Sequence, residues 1–255
     1  MSLNLLTTTQ ISQLTTVGVT AISTAEFAAL SSAQVAAMNP AFVSVLNTDQ
    51  IVAITATAVA GMTSAQLGAL SNADVTSFTT AQIAKLTTMA LVGLTTNNII
   101  GLTTEDVAQL TTAQVKALPP AAMGALSSAQ LNGLTTLGMA ALSTTQLQVL
   151  GSAAVIGLDT SHLAALTSSQ VGLLSSAELT GLDSAKIGAF TTAAVAGLTS
   201  TQVATLLSSD LAAFTTAQIA KLTTMALVGL TTNNIIGLTT EDIVQLTTEI
   251  GRAHV

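Results

Sequence analysis

Chemistry in this chain would have to come from very few side chains. His162 is the one histidine besides His254, five basic residues stand against twelve acidic ones, and there is no cysteine. Without cysteine, a disulfide framework, a thiolate metal site and a cysteine nucleophile are excluded. Serine and threonine are abundant, but a serine nucleophile needs a base beside it, and His162 is the single candidate. It ends the run Asp159-Thr160-Ser161-His162, at a place that Gln commonly fills in comparable runs, which predicts a capping or solvent-facing imidazole rather than a catalytic one. The paired carboxylates Glu105-Asp106 and Glu241-Asp242 have the make-up of an acid-base pair or a cation site. They fall in the first turn of predicted helices, where the helix dipole favours negative charge, and a structural role is expected for both. Asp159 and Asp183 are expected as N-caps.

Lys85, Lys116, Lys186 and Lys221 are too widely spaced to form a cluster and are expected as solvated charges. Met38, Met62, Met89, Met123, Met139 and Met225 read as core filler rather than a cofactor box. No Gly-rich phosphate loop, dinucleotide fingerprint or calcium nonapeptide occurs. No catalytic residue, cofactor site or metal ligand is therefore assigned, and no enzyme activity is expected.

The elements that would position these residues follow from composition and periodicity. Charged residues make up 7% of the chain, aromatic 2% and hydrophobic 49%, the reverse of a disordered polyelectrolyte, so the chain should fold. The acidic balance argues against nucleic acid as a partner, because that affinity is built on Lys and Arg neutralising phosphate. Mean hydropathy is +0.70, yet uninterrupted apolar stretches such as Met89 to Leu94 are only six residues long, far short of the ~20 that a membrane span requires. The amino terminus has neither the basic region nor the apolar core of a cleaved secretion signal.

One pattern recurs every eight residues from Thr7 to Leu246, 30 octads without a gap. Positions 5 and 8 are apolar in all 30, and position 1 is Thr, Ser, Asn, Asp or Gly in 28, the exceptions being Pro119 and Leu207. Apolar spacings of three and five residues exclude strand alternation. Position 1 reads as an N-cap, and Gln or Glu at position 4 completes a capping box. Position 8 and the next position 5 then form the staple pair, as in Phe78 with Ile83. Pro40 and Pro120 fall at position 2, the first helical position, where proline is tolerated. Thirteen of the 16 glycines before Gly251 fall at positions 6 or 7, where a short helix ends and a neighbouring backbone can approach. Each octad thus predicts a helix of one to two turns followed directly by the next cap.

Such a helix cannot stand alone. Two buried apolar side chains contribute roughly 3 to 6 kcal/mol against roughly 8 to 16 kcal/mol of backbone entropy for eight residues. Octads must therefore stack, with positions 5 and 8 forming a continuous apolar spine, as in other solenoids. Phe78 to Asp106 recurs unchanged as Phe214 to Asp242, a shift of 136 residues or 17 octads. Because 17 is divisible by neither two nor three, a coil of two or three non-equivalent octads would place the second copy in different surroundings. Near-equivalent octads, stepped one at a time along a superhelix, are expected instead.

The run Leu110 to Val115, Leu-Thr-Thr-Ala-Gln-Val, resembles the Ser/Thr-rich, Gln-punctuated helical repeats of very large secreted or surface proteins of bacteria. That resemblance implies a secreted or cell-surface repeat region and specifies no activity. A shorter likeness links Leu-Thr-x-x-Gln-Val to the repeats of transcription-activator-like effectors, but the basic residues and base-reading loop of those longer repeats are absent. The last six residues, Ile250-Gly251-Arg252-Ala253-His254-Val255, abandon the octad and resemble one reading frame of a widely used short-read sequencing adaptor. They are set aside from the fold, and the natural chain is expected to continue past Thr248.

The resulting organisation is a lead-in over residues 1–6, one octad solenoid over 7–249, and the foreign tail 250–255, in an all-α fold of very short capped helices. The expected role is a non-catalytic stalk, spacer or scaffold segment of a larger secreted or cell-surface protein. The alternative is an adhesive or partner-binding module. Ser or Thr at position 2 in 26 of 30 octads would there present a hydroxyl face to protein, glycan or ice. The partner itself is not specified by the residues.

Overall fold

A computed structural model describes the backbone from Ser2 to Ala253 and the side chains from Ser2 to Leu246. Among the described residues every regular element is helical and no strand occurs. This is the all-α architecture that the octad predicts. With octad 1 taken as Thr7–Leu14, each octad carries one helical element, most of them four to six residues long.

Octad 8 shows why the residues fold this way. Thr63 is extended (φ −94°, ψ 162°) and its hydroxyl accepts from the Gln66 N–H, while the Gln66 amide oxygen accepts from the Thr63 N–H at 2.8 Å. The helix Ser64–Ala69 follows, and Leu70 returns to extended backbone with its N–H on the Leu67 carbonyl. Ser71 then caps the next helix, Asn72–Ser77. Pro40 and Pro120 each begin a helix, as their position demands.

Three octads depart from the α-helix. Val19–Ala21, Ile99–Gly101 and Ile235–Gly237 are 3-10 turns. In the first, Gly18 at position 4 has φ +79°, the only left-handed backbone among the described residues, a conformation open to glycine at little cost. In the other two an Asn pair precedes the turn, and Asn favours local turns over helix interiors. The last helix, Thr240–Ala253, runs through Thr247-Thr248 instead of restarting there. Residues 250–253 of the suspect tail continue that helix, and 254–255 lie outside the described residues.

The chain divides into two compact units, Met1–Leu134 and Thr135–Val255. In the first, the helices pack in pairs three octads apart, such as Pro40–Val43 with Ser64–Ala69 and Ala56–Val59 with Thr80–Lys85. The same rule holds in the second unit, for example Ser184–Gly188 with Ser208–Ala213. Each unit is an α-solenoid whose spine is the predicted one. Position 5 is buried from Ile11 to Ile219, and position 8 is buried through most of its length. Phe78 and Ile83, the expected staple pair, are both buried. Ile235 and Ile243, 41% and 39% exposed, have no described octad three steps later to cover them.

Close stacking depends on glycine at position 7. A Cβ at Gly61 would collide with the Ser32 carbonyl, one at Gly93 with that of Ser64, and one at Gly197 with that of Ser168. In each case a position 7 glycine lies on the position 2 carbonyl three octads earlier. Gly151, a cap at position 1, has open space around it. Gly93→Ala should therefore destabilise by about 3 kcal/mol or more through forced separation of packed backbones. Gly151→Ala meets no atom and should cost only about 1 kcal/mol, the penalty of alanine at an N-cap. Urea unfolding of the two full-length variants compares them directly.

Candidate functional site

The described residues concentrate their buried polar groups at position 4. Gln50, Gln66, Gln82, Asn98, Asp106 and Gln114 are buried in the first unit, and His162, Gln170, Gln202, Asp210, Asn234 and Asp242 in the second. Most lie in the first turn of an α-helix, held by a capping box, while Asn98 and Asn234 sit at the start of 3-10 turns and accept from the Thr95 and Thr231 N–H, and His162 follows the cap Asp159. The second half of the side chain does something else.

Gln82 accepts from the Thr79 N–H (2.7 Å) through Oε1, and its Nε2 donates to the carbonyls of Ile51 (2.9 Å) and Ile54 (2.6 Å). Those carbonyls belong to positions 5 and 8 of the octad four steps earlier. Gln66 does the same to Val35 and Met38, and Asn98 to Leu67 and Leu70. In the second unit Gln202 reaches Val171 and Leu174, Asn234 reaches Val203 and Leu206, and Gln218 reaches Gly188 and Phe190. One amide thus closes the start of its own helix and the end of a helix in the turn before.

These bonds measure the coil. Their separations are 28 to 31 residues, more than three octads (24 residues) and fewer than four (32). A helix therefore packs on the helix three octads back while its position 4 side chain reaches the end of the octad before that. The same two relations recur along each unit, as at Gln66 and Gln82 in the first and Gln202 in the second.

Carboxylates at position 4 keep the cap but cannot donate. Asp106 accepts from the Thr103 N–H (3.0 Å) and hydroxyl (2.7 Å) through Oδ2. Asp210 accepts from the Leu207 N–H through Oδ2, and its Oδ1 takes the Ser184 hydroxyl at 2.7 Å. Asp242 Oδ1 is buried with no hydrogen bond of normal geometry. Burial pushes the Asp242 carboxyl up, but the Thr239 N–H and hydroxyl, with the Thr216 hydroxyl nearby, hold it below the ordinary carboxylate range. Glu105 is exposed and is lowered first by a backbone N–H and then by the Thr104 hydroxyl. The paired acids therefore separate in role. Asp106 and Asp242 turn inward as caps, and Glu105 turns out.

His162 is buried at position 4. Its Nδ1 lies 2.7 Å from Asp159 Oδ1, and the Asp159 carboxylate also accepts from the His162 N–H (3.0 Å) and the Ser161 hydroxyl (2.8 Å). A serine relay needs the imidazole between acid and hydroxyl. Here both sit on the same ring nitrogen, and the serine donates to the acid, so the cluster works as a cap. Burial pushes the Asp159 carboxyl up, but the His162 N–H, the Ser161 hydroxyl and the imidazole together hold it at about 2. Asp183 caps its helix as expected, through the Lys186 N–H.

Two expectations are corrected. Lys186, read as a solvated charge, occupies position 4, and its Nζ donates to the Ile156 carbonyl at 2.6 Å, replacing the Gln amide. Lys85, Lys116 and Lys221 are exposed. Met89 and Met225, read as core filler, are exposed, because position 3 lies on the outer side of the helix.

The bridging role of position 4 was missed from sequence, although a signal existed. Position 4 carries eleven Gln and only two Glu, whereas a capping box accepts either. The preference for the amide reports a donor requirement.

Among the described residues no group of three or more His, Asp or Glu side chains is placed to hold a metal ion, and no helix is long and apolar enough to cross a membrane. A family model described as the ALTTAQ repeat matches residues 99–136, 107–144 and 207–240. The first two matches are offset by 107 − 99 = 8 residues, one octad. The matched pattern marks a repeat protein whose unit can slip by an octad. None of the curated proteins matches the chain.

Three outcomes are expected. Gln82→Ala removes the bridge and leaves two buried carbonyls unpaired, costing about 2 to 4 kcal/mol in urea unfolding. Asp106→Asn should stabilise by about 1 kcal/mol, since Asn98 shows that this shorter amide reaches both carbonyls and each bond is worth about that much net. The Asp159 carboxyl lies below its unfolded value, so its stabilisation is present above about pH 4 and is lost as pH falls through about 2. Acid titration of wild type against Asp159→Asn should show the two curves converging in that window.

Proposed function

We propose that the chain is a non-catalytic structural repeat, a stalk, spacer or scaffold segment of a larger secreted or cell-surface protein. The observation that carries this reading is the use made of polar side chains. The buried amides, the histidine and the half-buried Lys186 cap helices or tie one turn to the next, as Gln82, His162 and Lys186 do. Function then resides in length and periodicity. The bonds between turns end on backbone carbonyls, which any octad supplies, so reach is adjustable in steps of eight residues.

The secreted or surface placement rests on the resemblance of Leu110–Val115 to Ser/Thr-rich bacterial repeats. The adhesive alternative would use the position 2 hydroxyls, most of them exposed, although Ser184 is engaged by Asp210.

Deleting the whole octad Thr111–Leu118 should keep helicity and cooperative unfolding, whereas deleting only its first four residues should abolish both. Adding octads in series should lengthen the particle linearly by small-angle scattering, and a constant maximum dimension would refute the spacer. The full open reading frame tests placement, because a frame with no export signal of any type would remove the secreted or surface assignment.

A further inference from the structure

We propose that Met89 and Met225 are oxidant-directed modification sites, one site carried twice, where a peroxide converts an exposed thioether to the sulfoxide while the methionines of the spine stay reduced. Met38, Met62, Met123 and Met139 occupy positions 5 or 8 and are buried, whereas Met89 is 78% and Met225 76% exposed. Both sit at position 3 of helices with the same sequence, Thr88–Leu91 and Thr224–Leu227. Each belongs to a different unit and lies inside the 29-residue copy, so the two sites have identical sequence neighbours.

The rest of the chain offers an oxidant little else. It has no Cys, Trp or Tyr, and His162 is buried in its cap. In the reaction the sulfur lone pair attacks one peroxide oxygen, the O–O bond breaks, and the S–O bond forms. The second oxygen leaves as water after proton transfer. Sulfur is oxidised by two electrons and hydrogen peroxide is reduced. Position 3 lies outside the spine, so a sulfoxide there leaves the core packing intact. It does change the surface. Val92 and Val228, three residues on from each methionine and on the same helix face, are also exposed. Oxidation replaces the larger half of this apolar pair with a polar, chiral group.

The inference is independent of the scaffold reading and is tested on the full chain with dilute hydrogen peroxide. Peptide mass mapping separates every methionine, including Met1. Met89 and Met225 should oxidise at similar rates and at least about tenfold faster than the four spine methionines, which need local opening to react. Helicity should persist, and retention on a hydrophobic-interaction column should fall. The double variant Met89→Leu, Met225→Leu should keep its retention through the same treatment. Comparable oxidation at Met38, Met62, Met123 and Met139, or loss of helicity in step with oxidation at Met89, would overturn the assignment. An equal drop in retention for wild type and variant would reject the change in surface character.

Discussion

A helix of four to six residues leaves nearly all its backbone donors and acceptors without an internal partner, and the whole structure follows from how those groups are paired. The start of each helix is closed from within by the position 1 hydroxyl and the position 4 side chain. The end is closed from outside, by the position 4 amide of an octad four steps later. Gln82 joins the two solutions in one side chain, with its oxygen on Thr79 and its nitrogen on Ile51 and Ile54. Burial of positions 5 and 8 supplies the driving force, but without these amides the same burial would strand carbonyls in an apolar interior, at a cost that cancels much of it.

That joint also explains why the chain tolerates its own duplication. Asn98 and its copy Asn234 each reach carbonyls 31 and 28 residues back, although those carbonyls belong to Leu67 and Leu70 in one case and Val203 and Leu206 in the other. Gly93 and its copy Gly229 each lie on a position 2 carbonyl, that of Ser64 or Ser200. Backbone carbonyls are the partners, and they are present whatever side chains surround them. Tight octads with glycine at position 7 and bridged octads with Gln at position 4 are two ways of docking on the previous turn. A single octad can use both, as Gln130 and Gly133 do in octad 16.

The residues with the most capacity for chemistry are absorbed into the same scheme. Asp159, Ser161 and His162 make a cap whose geometry denies the ring a place between acid and hydroxyl. Asp106, Asp210 and Asp242 cap their helices without donating to the previous turn, and Asp210 instead accepts from a position 2 hydroxyl. A carboxylate at this position trades a bond between turns for a better cap and a favourable dipole interaction. The hydroxyl pattern that reads as a ligand-binding face is thereby partly internal.

Local rules were legible in the sequence because they act within eight residues. The N-cap at Thr63, the capping box to Gln66, the proline starts at Pro40 and Pro120 and the apolar spine all rest on side chains that meet their own backbone or an adjacent octad. What the sequence could not show was the length of a turn, and with it the partners of everything that bonds 26 to 31 residues away. Lys186 looks solvated until the Ile156 carbonyl lies against it, and Met89 looks like core until position 3 is seen to face outward. Those outcomes depend on how far the backbone turns about the coil at each cap, and no local pattern of residue types encodes that rotation.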